Sequence, residues 1–283
     1  MSVGIIDIGS NTIRLSVFDK KTLKQIANGV DYAGLIAYVS DGRLSEEGKI
    51  VLCNAILKLK AECDNLRCFD IKAFATASLR DICDKDGLIS DVFQKTGVIM
   101  EIISGEREAY LDYLGLKKEY DTETGAVFDL GGGSAQLITF RDGKVIDYTS
   151  KKIGALKLYK DFVSGIFPTE AESDKIREFV KSELCGFKSD KHSFSYAMGG
   201  AASAISKLYE KMFNKKTEYF SISEIRAVAE IPENVIRAVI PERLYTIRPA
   251  LIVIEEILNT LKTDKIKCVT CGVRDGMICE IIN

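Results

Sequence analysis

At 283 residues and 46% hydrophobic, the chain is long enough to bury two domain cores. Lys and Arg number 39 against 41 Asp and Glu, a formal charge of −2. That balance supplies no general basic field for nucleic acid, so an anionic ligand has to be met by local groups. No apolar run reaches the ~20 residues of a membrane span, and Met1-Ser2 leads into an apolar strand without a basic leader; a cytoplasmic protein is expected.

In chain order, residues 3–19 predict a hairpin: an apolar strand, a small-residue turn at Gly9-Ser10-Asn11-Thr12, then alternating Ile13, Leu15 and Val17. Ser45 followed by Glu46, Glu47 and Gly48 reads as the cap and acidic first turn of a helix to about Asn65. Strands are predicted at Ile71–Ala77 and Val98–Ile103, with helices near 86–96 and from Gly105 to Leu116. The polar stretch 117–124 is a candidate linker. A second hairpin spans 125–148, and the stretch to Leu261 reads as mainly helical. A strand at Lys267–Thr270 and a helix from Gly272 close the chain. Strands alternating with helices predict an α/β fold.

The eight cysteines include one CxxC pair, Cys268 and Cys271, with no second pair and no nearby histidine. A structural zinc site needs four ligands, so the cysteines read as small buried hydrophobes. His192, the single histidine, lies in a polar stretch and reads as a solvated loop residue. Histidine-based triads and metal sites thereby lose their ligand, leaving carboxylates, backbone amides, Arg, Lys and a metal to carry any chemistry.

The chain also resembles itself at an offset of 122 residues. The stretch GIIDIGSNTIRLSVFD (4–19) lies over that ending VFDLGGGSAQLITF, which pairs Asp7 with Asp129, Gly9 with Gly131 and Thr12 with Ser134. Each copy is a strand ending in Asp, a small-residue turn, then a second strand. Glycine lets successive N–H groups approach an anion, and Ser10, Asn11, Thr12 and Ser134 add side-chain donors. One Asp per turn suits Mg²⁺, which binds through one or two carboxylates plus phosphate oxygens. Either turn alone reads as an ordinary hairpin; the duplication points to a clamp on a phosphate chain.

These paired turns resemble the phosphate motifs of the actin, heat-shock chaperone and sugar-kinase superfamily. ATASLR (75–80), ISGEREAYLDYLGL (103–116) and TCGVRDGMI (270–278) narrow the resemblance to the exopolyphosphatase / guanosine pentaphosphate phosphohydrolase family. IGALKLYKDF (153–162), AMGGAASAI (197–205) and Pro241-Glu242-Arg243 extend it nearly end to end. The resemblance implies two RNase-H-like, actin-like ATPase domains, 1–119 plus 272–283 and 120–271, with the active site in an interdomain cleft, in a minimal two-domain form. It implies Mg²⁺-dependent release of terminal phosphate from inorganic polyphosphate or guanosine pentaphosphate, with no nucleic-acid or membrane partner. A homodimer is an assembly it allows.

By the same resemblance Glu108 is the catalytic base. Asp7 and Asp129 handle metal and water. Gly9, Ser10, Asn11, Thr12, Gly131, Gly132, Gly133 and Ser134 bind phosphate with Arg80. From the residues alone, Glu106 and Glu108 suit a helix N-terminus equally. Arg80 suits phosphate capture or an ion pair with Asp81 or Asp84, and Arg14 has the same two readings.

Two departures stand out. Gln136 occupies a position that is typically Glu in the family, where it retains a carbonyl to orient water, and Tyr32-Ala33-Gly34-Leu35 replaces an Arg-Leu-Gly stretch. They leave open an impaired enzyme or a non-catalytic sensor of guanosine penta- or tetraphosphate or polyphosphate. A kinase with Gly199-Gly200-Ala201 at a nucleoside is a third reading. Lys151, Lys152, Lys157 and Lys160 read either as a polyanion track or as solvated charges.

Overall fold

The computed structural model describes residues 1–282. The chain divides into two compact units, one made of Met1–Lys118 with the stretch from Val273, the other of Glu119–Gly272. Among the described residues no helix is long and apolar enough to cross a membrane.

The first unit opens with an antiparallel meander of β1 (Ser2–Ile8), β2 (Ile13–Asp19) and β3 (Gln25–Asp31). A 3-10 turn (Leu35–Tyr38) and a short hairpin of β4 (Val39–Ser40) and β5 (Arg43–Leu44) lead into α1 (Glu46–Asn65). Ser45 caps α1 as predicted, its hydroxyl accepting from Gly48 N at 3.1 Å. Then come β6 (Ile71–Ala75), the single-turn α2 (Ala77–Arg80), α3 (Lys85–Thr96), β7 (Met100–Ile102) and α4 (Gly105–Glu119). The sheet order is β3-β2-β1-β6-β7, with β1, β6 and β7 parallel. α4 consumes the first three residues of the predicted 117–124 linker.

β1 is apolar on both sides because both faces of the sheet are covered. Ile6, Ile8, Leu15 and Val17 pack with α1 and α3 through Leu52, Ile56, Leu59, Leu88 and Val92. Val3, Ile5 and Phe18 pack with Leu111 of α4 and with Val273, Met277 and Ile278 near the C-terminus. Side chains alternate along a strand, so Asp7 shares the face of Val3 and Ile5, while Arg14 and Ser16 share that of Phe18.

The second unit repeats the plan. β8 (Gly125–Leu130), β9 (Ala135–Arg141) and β10 (Lys144–Lys151) form the meander, followed by α5 (Ala155–Phe162) and α6 (Glu170–Leu184). β11 (Ser195–Met198), α7 (Gly199–Phe213), β12 (Tyr219–Ser221), α8 (Ile222–Ala229), α9 (Glu233–Val239), a 3-10 turn at Pro241–Arg243, α10 (Ile247–Leu261) and β13 (Lys265–Cys268) complete it. The sheet order is β10-β9-β8-β11-β13-β12, with β8, β11 and β13 parallel. α10 is apolar nearly all round because it runs through the core, with Ile254, Ile257, Leu258 and Leu261 fully buried. The final helix, α11 (Val273–Ile282), returns to the first unit.

β11 and β12 were missed within the region read as helical, each being only three or four residues long. Cys83 and Cys185 are exposed, contrary to the buried reading of the cysteines. His192 is half-buried rather than solvated, and burial pushes its imidazole below the ordinary range.

Candidate functional site

Parallel strands leave their carboxyl ends on one edge, where loops rather than side-chain layers meet a ligand. In the first unit Ile8 lies beside Ala75 and Ala75 beside Ile102. The turn after β1, the segment Thr76–Arg80 and the start of α4 therefore share one edge. In the second unit Asp129 lies beside Met198, and Ala197 beside Cys268. The turn after β8, the start of α7 and the segment after β13 share the corresponding edge.

Both turns are built alike. Gly9 N donates to Thr12 O, and Gly131 N to Ser134 O, each at 3.0 Å. Their carbonyls point back into the fold. Ser10 O and Asn11 O accept from Ile36 N and Gly34 N at 3.0 and 2.9 Å. Gly131 O, Gly132 O and Gly133 O accept from Ala155 N, Leu156 N and Gly154 N, so the turn satisfies the first amides of α5. The N–H groups of Ser10, Asn11, Thr12, Gly132, Gly133 and Ser134 meet no acceptor among the described residues. They are the groups an anion would use. No residue of either turn has positive φ, so glycine is selected here for close approach rather than handedness. At Gly154 a Cβ would overlap the Gly133 backbone.

The Ser10 hydroxyl is the clearest sign of a ligand. Ser10 is 4% exposed, and its Oγ has no partner among the described residues. A buried hydroxyl left unsatisfied carries a desolvation cost of about 1–3 kcal/mol that an oxyanion removes.

Asp7 is half-buried at the head of its turn. Burial pushes its carboxyl above the usual range, and the Arg274 and Arg14 guanidinium groups pull it back. Arg14 faces Asp7 in the β1–β2 register. Arg274 comes from the first turn of α11 and donates from Nη1 to Ser16 Oγ at 3.0 Å. A Cβ at Gly276 would overlap the Leu111 carbonyl, and Lys118 Nζ lies 3.1 Å from Asp275, so α11 is held close on α4. Sequence reasoning missed Arg274 as a site residue, although the TCGVRDGMI stretch contains it.

The structure separates Glu106 from Glu108. Glu106 is exposed, and hydrogen bonds from its own backbone N–H and from Ser104 hold its carboxyl below the ordinary range. It serves the helix N-terminus. Glu108, two residues further on and so on another face of the helix, is 7% exposed and pairs with the Arg80 guanidinium. Arg80 Nε also donates to Ile103 O at 3.0 Å, and Asp84 caps α3 by accepting from Gly87 N at 2.9 Å.

In the second unit Asp129 sits at the start of α7. Gly199 has φ 85°, and a Cβ there would overlap Asp129 Oδ1; one at Gly200 would overlap the Arg243 guanidinium. The glycine pair thus admits a carboxylate and a cation to the same helix end, and Arg243 was not foreseen in that place. Gln136, opposite Asp129 in register, is buried, and its Nε2 donates to Ser134 Oγ and Ser150 Oγ at 2.9 Å each. Lys157 of the lysine group pairs with Asp161 at 2.6 Å.

Asp7 and Asp129 are the hard oxygen ligands Mg²⁺ prefers, and one carboxylate per turn leaves its other positions to water and phosphate. The residues present fit that ion.

The sequence matches the Ppx/GppA phosphatase family over residues 16–283. It is 27% identical over 199 residues to Exopolyphosphatase 1 of Mycobacterium tuberculosis, an alignment covering 65% of this chain and 55% of that one. The chain thus spans about half the length of that curated relative. A crystal structure of the Aquifex aeolicus Ppx/GppA family member superposes with a TM-score of 0.82 at 23% identity, covering 100% of this chain and 98% of that one. An exopolyphosphatase from Cytophaga hutchinsonii superposes with a TM-score of 0.88 at 19% identity and the same coverage. At these identities the two structures establish a shared fold.

Proposed function

Because the chain belongs to the Ppx/GppA phosphatase family, we propose that it is a Mg²⁺-dependent phosphohydrolase that releases terminal phosphate from inorganic polyphosphate or guanosine pentaphosphate. The observation that carries this reading is the duplicated turn: in each unit an Asp heads a bend whose carbonyls are tied into the fold and whose amides are not. The exopolyphosphatase name of the mycobacterial relative supports the choice of polyphosphate.

In this reading each turn offers its N–H groups to phosphate oxygens, with Ser10 and Ser134 adding hydroxyl donors. Asp7 and Asp129 are the carboxylates that would serve as metal ligands, and a bound Mg²⁺ would supply neutralisation of charge on phosphoryl oxygens. Arg80 binds a phosphate oxygen and, in doing so, shares its guanidinium away from Glu108. Glu108 accepts the proton of the attacking water, and its burial keeps the carboxylate aimed rather than solvated. Arg14 and Arg274 contribute fixed positive charge beside Asp7 of the first turn, and Arg243 does so at the Gly199-Gly200 helix end of the second unit.

Phosphate released from each substrate with Mg²⁺, compared between wild type and Glu108→Gln, tests the assignment. Loss of turnover in the variant supports it, and equal release by both proteins removes Glu108 from the role.

A second reading, a binding-only sensor of the same ligands, is favoured by one observation: the position opposite Asp129 carries the uncharged Gln136. Tight binding without turnover by the wild type, with turnover gained in Gln136→Glu, would select it.

A further inference from the structure

We propose that Gln136 is a positioning residue: it sets the direction of the Ser134 hydroxyl and so makes the second turn a donor to the terminal phosphoryl oxygens of an oligophosphate. This deepens the phosphate-binding reading above and rests on it. The side-chain amide nitrogen of Gln136 carries two protons, and both are committed, one to Ser134 Oγ and one to Ser150 Oγ at 2.9 Å each. A hydroxyl oxygen that accepts from an amide retains its own proton to donate.

For Ser134 that proton meets no acceptor among the described residues. Ser134 is 4% exposed and Gln136 1% exposed, so bulk water does not readily take the acceptor's place. The backbone N–H of Ser134 is in the same condition. Two donors of one residue at the end of a turn suit a single oxyanion, and a charge-assisted hydrogen bond is roughly twice as strong as a neutral one. Gln136 does not touch the ligand in this scheme; it acts through Ser134.

A carboxylate at position 136 reverses the arrangement. It has no proton to give, so the Ser134 and Ser150 hydroxyls would have to turn inward and donate to it. It also places a second negative charge opposite Asp129. Unlike such a carboxylate, Gln136 is a neutral donor, and it leaves the serine proton available to the substrate.

The test is calorimetric titration of tripolyphosphate, with magnesium chloride, into wild type, Gln136→Met, Ser134→Ala, the double variant and Gln136→Glu, with each variant's melting temperature recorded. Methionine approximates the length of glutamine and lacks its donors. Gln136→Met and Ser134→Ala should each weaken the dissociation constant about tenfold. The double variant should be no weaker than Ser134→Ala alone, because the glutamine has nothing left to orient. The KM for polyphosphate should rise by the same factor in Gln136→Met while kcat holds. Gln136→Glu, isosteric with wild type, should bind no better than Gln136→Met and carries the test if the methionine variant does not fold.

Losses that add in the double variant, or wild-type affinity in Gln136→Met or Gln136→Glu, overturn the role of Gln136 and leave phosphate binding standing. Absence of binding by the wild type itself would remove the phosphate reading and this inference together.

Discussion

Arg80, the last residue of the single-turn α2, holds Glu108 in the first turn of α4. Their side chains are 20% and 10% exposed, so this is not a solvent-screened surface pair of the kind that contributes little. On the roles proposed above, phosphate capture for Arg80 and proton abstraction for Glu108, a phosphate that took the guanidinium would loosen its hold on the carboxylate and make the base available.

The first prediction follows from that pairing. Glu108→Gln should lower kcat by about 10²–10⁴-fold with tripolyphosphate affinity unchanged or improved, since Arg80 is no longer shared with a charge. Arg80→Met should instead raise KM and leave Glu108 a buried charge without this cation, lowering the melting temperature as well. Steady-state kinetics with polyphosphate and a thermal melt distinguish the two.

Arg274→Met should raise KM for polyphosphate by about tenfold. The residue lies in the last helix of the chain, 267 positions beyond Asp7 in sequence, yet its guanidinium acts on that carboxylate and donates to Ser16. Lys118→Met, which removes the Asp275 ion pair and loosens α11, should show a weaker effect of the same sign. Wild-type KM in Arg274→Met would remove the arginine from the site.

Gly154→Ala should damage both stability and activity. Its Cβ would overlap the Gly133 backbone, forcing the turn away from the amides of α5, and overpacking of this kind costs typically 1–3 kcal/mol. At Gly165 an added Cβ would lie 3.7 Å from the nearest heavy atom, an ordinary contact, so Gly165→Ala serves as the control. Chemical denaturation of both variants checks the contrast.

A pH effect is expected at α6, away from the turns. Glu172 accepts from Thr169 N and from the Ser164 N–H and hydroxyl, which holds its carboxyl down at about 2 from an ordinary 4.5. A depressed carboxyl adds stability that is fully present above its unfolded value, near 4.5, and is lost as pH falls through about 2. Melting temperature measured across that window should fall less steeply in Glu172→Gln than in wild type.

Much of this was legible in the sequence because it is local. The Asp-headed turns at 7–12 and 129–134 and the cap at Ser45 depend on residues adjacent in the chain, and the structure places them as read. What was hidden depends on contacts between distant segments. Nothing near Arg80 in sequence names Glu108 as its partner, and residue type alone could not separate Glu106 from Glu108, because only the turn of the helix buries one and exposes the other. Arg274 and Arg243 reach their turns through the packing of α11 on α4 and of the Pro241–Arg243 turn over Gly200. β11 and β12 were lost because strands of three or four residues carry too little periodicity to be read.

The most direct test of the account is calorimetric titration of tripolyphosphate in magnesium into wild type, Asp7→Asn and Asp129→Asn. If the Asp-headed turns bind phosphate together with magnesium, the wild type takes up the ligand and each single variant loses at least tenfold in affinity, with the melting temperature of the free protein retained. Uptake by both asparagine variants at wild-type affinity would contradict it.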